Sequence, residues 1–210
     1  MDLERQKQAL GLYAALMEEV KIRAASIAHA KLGRTGHVSH LDREFCFLQL
    51  RMVAELIALA CLVAHGDIQG TQANAIRGSW SAEQILKGLE KLHLDFYPHP
   101  VKRTEVGPDS FHLEPITSGF LTRKELPLLV QKCGETLHRG SMKRLLSSNI
   151  PKKADFTEVD QWMSKVDRLL TFHRIALFDG NSFLCLMSNP EQRGAVQTAL
   201  GVANHPGRTA

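Results

Sequence analysis

The sequence lacks any apolar run longer than nine residues, the longest being Leu56 to Ala64. A bilayer-spanning helix needs about 20 predominantly apolar residues, so no membrane segment is expected. The first residues, Met-Asp-Leu-Glu-Arg-Gln-Lys, are charged from the second position and lead into no apolar signal segment. Only four cysteines occur, Cys46, Cys61, Cys133 and Cys185, and no two form a C-x-x-C pair. That scatter excludes a disulfide scaffold or a cysteine zinc site and predicts reduced core thiols in a cytoplasmic protein. There is no phosphate-cradling glycine loop, no G-x-S-x-G elbow, no paired-carboxylate signature, no internal repeat and no low-complexity stretch. Charge is not strongly one-sided either. With 26 Lys and Arg against 22 Asp and Glu the net charge is +4, which suits an anionic partner without demanding one.

What remains is an ordinary globular composition, 44% hydrophobic and 23% charged over 210 residues. That predicts a single domain over 1–203 and a disordered tail over 204–210. Leu10, Tyr13, Met17, Val20, Ala24 and Ile27 recur at helical spacing, predicting one helix over 3–32 that stops at Gly33 and Gly36. A second helix over 42–65 is apolar almost all round, which implies burial on several sides. Ser81 with Gln84, and Thr122 with Glu125, are capping-box spacings that open helices over 82–94 and from 122 to 138. Trp162, Val166, Leu169 and Leu170 mark another over 156–172. Turn residues predict β-hairpins near 101–116 and, around Asp179-Gly180, 173–187. Asn189-Pro190 reads as the start of a last short helix. The expected fold class is mainly α, a bundle of five to six helices with one or two small β-hairpins.

Candidate chemistry gathers where the fourth helix ends. From His138 to Lys153 there is no acidic residue, while Arg139, Lys143, Arg144, Lys152 and Lys153 supply five permanent cations. Guanidinium forks and ammonium groups neutralise phosphates, although cations also suit the negative end of a helix. In the apolar second helix Arg51 and Glu55 are four apart and able to pair, either as a structural ion pair or as the charged lining of a groove.

A long first helix, then Leu50-Arg51-x-x-x-Glu55-Leu56 on the second, then a later helix ending in a histidine turn: this order resembles the HEPN superfamily of helical domains. The resemblance covers 3–65 and 122–172. It implies a homodimeric, nucleic-acid-associated protein whose active members cleave RNA without a metal, arginine stabilising phosphate charge and histidine shuttling a proton. His138 takes the histidine position. Five residues separate it from Lys132, so lysine stands where the family has arginine, giving a point charge in place of a fork. The resemblance points to His138 and Lys132 for catalysis; the acid-free segment adds Arg139, Lys143 and Arg144 for binding, and the charged pair of the second helix adds Arg51 and Glu55, with no cofactor. Binding of RNA or another phosphate-bearing ligand is expected over cleavage. Arg168 with His173 and Arg34 with His40 match the bare spacing as well. The rival reading is a non-catalytic interaction module that docks a partner protein on an apolar helix face. His37-x-x-His40, with Asp42 or Glu44 as completing ligands, reads as a solvated loop in preference to a metal site.

Overall fold

The computed structural model describes residues 3–66, 81–107, 110–138 and 154–201. Helix α1 (Leu3–Lys31) and helix α2 (Ser39–Ala64) lie antiparallel as a hairpin. Gly33 and Gly36, at φ 65° and 79°, take the left-handed conformations that let the connection turn without a Cβ clash. The register is fixed by Arg23 donating to the Gln49 amide oxygen at 2.9 Å and by the Cys46 thiol over the Ile27 carbonyl. Tyr13, Met17, Val20, Ile27 and Ala30 form the buried stripe of α1.

Helix α2 runs through the middle of the helical layer and touches α1 as well as α3 (Ala82–Leu92), α4 (Glu125–Leu137) and α5 (Thr157–Leu170). By length and composition alone α2 would pass for a membrane-crossing helix. In the fold 61% of its most apolar window is buried against these neighbours. At the start of α4, Glu125 accepts from the Thr122 amide at 3.0 Å while its own amide donates to the Thr122 hydroxyl at 3.3 Å, the reciprocal pairing expected of those two residues. Ser81 precedes α3 as expected, yet its side chain makes no capping bond.

The expectation of a mainly α bundle with hairpin additions is overturned. Among the described residues, five helices combine with one five-stranded antiparallel sheet, a mixed α and β fold. Its strands are β1 (His99–Gly107), β2 (Ser110–Pro115), β3 (Phe172–Ala176), β4 (Ser182–Asn189) and β5 (Ala195–Gly201), in the order β2-β1-β3-β4-β5. The two expected hairpins exist, but His99 pairs with Arg174 and Pro100 with His173, and this joint fuses them into a single sheet. The fifth strand replaces the expected last helix. Asn189 does cap, accepting from the Glu191 amide at 3.0 Å, but only one 3₁₀ turn follows (Pro190–Gln192). Arg193 and Gly194, at φ 54° and 81°, then reverse the chain onto β4.

One hydrophobic core fills the space between the helices and β3–β4, with Ile175, Phe183 and Cys185 contributed by the strands. At its centre the buried Tyr13 hydroxyl donates to His173 Nε2 at 2.6 Å, and His173 Nδ1 donates to the Leu170 carbonyl at 2.9 Å. All four cysteines are free and buried. Burial pushes the thiol of Cys46 up to about 11 and those of Cys133 and Cys185 up to about 12, so they remain protonated and inert. The predicted tail over 204–210 lies outside the described residues.

Candidate functional site

The edge where α2, α4 and α5 meet collects charge. Glu158, in the first turn of α5, has the helix's positive end behind it and two cations in front. Lys132 of α4 reaches it at 3.0 Å and Arg43 of α2 at 3.4 Å. Arg43 also donates through Nε to the Asp155 carbonyl at 3.0 Å and lies over the Phe47 ring, 4.7 Å from its centroid. About two and three turns beyond Arg43 on α2, Arg51 pairs with Glu55 at 3.1 Å, the contact their spacing allows. Arg51, Glu55 and Glu158 all act electrostatically on the buried Cys133 thiol of α4.

Three cations (Arg43, Arg51, Lys132) stand with three carboxylates, Glu55, Glu158 and the Asp155 side chain on which Arg43 also acts, so the charges balance. The side chains of Arg51 and Lys132 keep 42% and 39% of their surface exposed, enough to meet a ligand. The acid-free stretch leaves and re-enters at this edge. His138 ends α4, its amide donating to Gly134 at 2.9 Å, and the Ala154 amide donates to the Ser39 hydroxyl at the start of α2. Arg139, Lys143 and Arg144 lie outside the described residues.

The structure pairs Arg51 with Glu55 and Lys132 with Glu158. It does not bring Lys132 to His138. Six positions along a helix put the two about 120° apart around the axis and roughly 9 Å along it. Lys132 turns to Glu158, and His138 is exposed at the helix end. The other two spacing matches do not converge either. His173 is spent on Tyr13 and Leu170 in the core, while Arg168 lies across Gly119 with its side chain 3.2 Å from where a Cβ would stand. Arg34 and His40 are both exposed in and after the α1–α2 turn.

No protein-family model matches the chain, and no curated protein or solved structure matches it.

Arg43 and Glu158 were not singled out from the sequence. Their contact spans 115 positions, and neither position carries a local pattern that signals a cross-helix cluster. Among the described residues no three of His, Cys, Asp and Glu stand close enough to hold a metal. His37 faces the buried Asp42 carboxylate at 3.6 Å, and that carboxylate is also taken by the Thr35 hydroxyl, so it pins the turn. His65 and His93 approach at 3.2 Å where α2 and α3 end, with the exposed Phe178 ring beside His93.

A second feature is apolar. Along α2, Leu41, Leu48 and Leu59 are each about two-fifths exposed, with half-buried Phe45 and Met52 between them. This ridge runs beside Arg51 and Glu55, one helical turn from Leu48 and Leu59 respectively. On the α1 side Ile22, 65% exposed, and Phe45 border a shallow depression of about 430 Å³.

Proposed function

We propose that the protein binds RNA or another phosphate-bearing polyanion along the α2–α4–α5 edge, and that it binds without cleaving. The observation that carries this reading is the partial exposure of the paired Arg51 and Lys132 side chains on the helical layer into which the acid-free stretch, with its five further cations, re-enters. Binding is favoured over cleavage because Lys132 is committed to Glu158 and stands away from His138. Four free buried thiols support a reducing compartment, so we place the protein in the cytoplasm. The apolar ridge of α2 supports a homodimer, which would set two charged edges side by side.

The test is an anisotropy titration with single-stranded and structured RNA at several salt concentrations. The double variants Arg51→Ala/Lys132→Ala and Lys143→Ala/Arg144→Ala should each bind more weakly. Losing two contacts should flatten the log–log salt slope by about 1.4 on single strands. Absence of binding, or affinities equal to wild type, sinks the proposal. Incubation with RNA in chelator should leave it intact, and cleavage lost in His138→Ala would replace binding with catalysis.

The same ridge supports a second reading, a module that docks a partner protein through Leu41, Leu48 and Leu59. Sedimentation with a 260 nm trace separates the two. A dimer that carries RNA, and turns monomeric in Leu48→Glu, favours the first. A nucleic-acid-free monomer favours the second.

A further inference from the structure

On the opposite end of α5 from Glu158, a small cleft of about 140 Å³ opens between α1, α5 and β4. Its walls are apolar, chiefly Val20, Leu170 and Met187, and its polar groups are the Asp167 carboxylate and the hydroxyls of Thr171 and Ser188. Asp167 is solvent-accessible, so the carboxylate is reachable from outside. Among the described residues no side chain hydrogen-bonds or ion-pairs with it. Lys21 lines the same cleft, but its ammonium donates to Glu18 at 2.9 Å and to the Gly194 carbonyl at 2.6 Å. Arg168, next along the helix, is laid over Gly119.

Two local penalties act on this carboxylate. It lies in the last turn of α5, where the helix's partial charge is negative and an anion is disfavoured. Partial burial against apolar neighbours pushes its pKa up, and the Lys21 ammonium in the same cleft is turned to Glu18 and Gly194. An asparagine of the same shape would escape both. An exposed carboxylate at the edge of an apolar cleft, without a side-chain partner among the described residues, is open to a counter-charge supplied by a ligand.

We propose that this cleft binds a small organic cation, an ammonium or guanidinium group on a short apolar stem. The charge would meet Asp167 and the negative end of α5, its remaining donors the Thr171 and Ser188 oxygens, and its stem the Val20–Leu170–Met187 wall. An anion is repelled by Asp167, and a metal ion lacks the three ligands it needs among the described residues. The cleft holds roughly four or five waters' worth of volume, suiting a linear amine and excluding a nucleotide or a drug-sized ring system. This site is independent of the polyanion edge.

The experiment is a ¹H–¹⁵N correlation titration of the full chain with n-butylammonium and n-butylguanidinium chloride, against n-butanol and sodium butyrate. The cations should give saturable shifts confined to residues 20–24, 166–171 and 187–188, and the two controls should not. Asp167→Asn should weaken the cations roughly tenfold or more, and its melting temperature at pH 7 should equal or exceed wild type. Ala24→Met, which fills the cleft and keeps the carboxylate, should block binding as well. Absent or unsaturable shifts, equal shifts from butanol, or unchanged binding in either variant overturn the proposal. An Asp167→Asn protein that melts well below wild type assigns the carboxylate a structural role and overturns it too.

Discussion

Glu158 and Asp167 stand at opposite ends of α5 and are treated in opposite ways. Glu158 has the positive end of the helix, Lys132 and Arg43 around it. Asp167 has the negative end, an apolar wall and, among the described residues, no ion-pair partner. A few residues past Asp167, His173 shows the limiting case of a polar group fully enclosed and fully partnered. Partnering, more than exposure, separates the groups that hold this fold together from the one left open to a ligand.

The largest effect should come from the enclosed group. Burial lowers the His173 pKa from 6.5 to about 4. The folded protein therefore binds fewer protons than the unfolded chain between those values. The stabilisation is full above pH 6.5 and is lost as pH falls toward 4, by on the order of 3 kcal/mol in all. Urea melts at pH 7 and pH 4 measure it, and a flat profile would break the comparison. Tyr13→Phe removes the donor to Nε2 and should cost about 1–3 kcal/mol at pH 7.

Glu158→Gln comes next. Its side chain is about one-third exposed, so solvent screening holds the loss to about 1 kcal/mol. The same variant frees Lys132 and Arg43, so affinity for RNA should rise while stability falls. A parallel fall in both would show that Glu158 orders the site and does not merely mask it. The smallest effect belongs to Asp167→Asn, between zero and about 0.5 kcal/mol of added stability in a denaturant melt. A loss as large as that of Glu158→Gln would erase the contrast between the two ends.

Much of the helical layer is legible in the sequence because each helix announces itself locally. The stop at Gly33, the Thr122–Glu125 exchange and the Arg51–Glu55 pair all depend on residues within four or five positions. The sheet is not legible in that way. Its joint rests on two residue pairs, His99 with Arg174 and Pro100 with His173, separated by more than seventy positions and carrying no local pattern. β5 misleads for a more specific reason. Asn189-Pro190 is a sound helix start and Asn189 does cap, but Arg193 adopts a left-handed conformation that its residue type seldom takes. For the candidate edge, Lys132, Arg51 and Glu55 stand out in the sequence as charges on apolar helices. Their relation to Glu158 and Arg43 exists only after α2, α4 and α5 have packed.

The edge strand β5 is tied to α1 by three contacts across most of the sequence: the Val196 amide to Glu18, the Gly194 carbonyl to Lys21, and the Thr198 hydroxyl to the Leu10 carbonyl. During synthesis α1 therefore leaves the ribosome some 170 to 190 residues before the strand that covers it. At 5–20 residues per second that is a wait of roughly 10–40 s with part of its surface unclad. For that interval the nascent helix lacks the strand that ties down its outer flank, and a stalled or clipped chain would present that flank of α1 to chaperones and proteases.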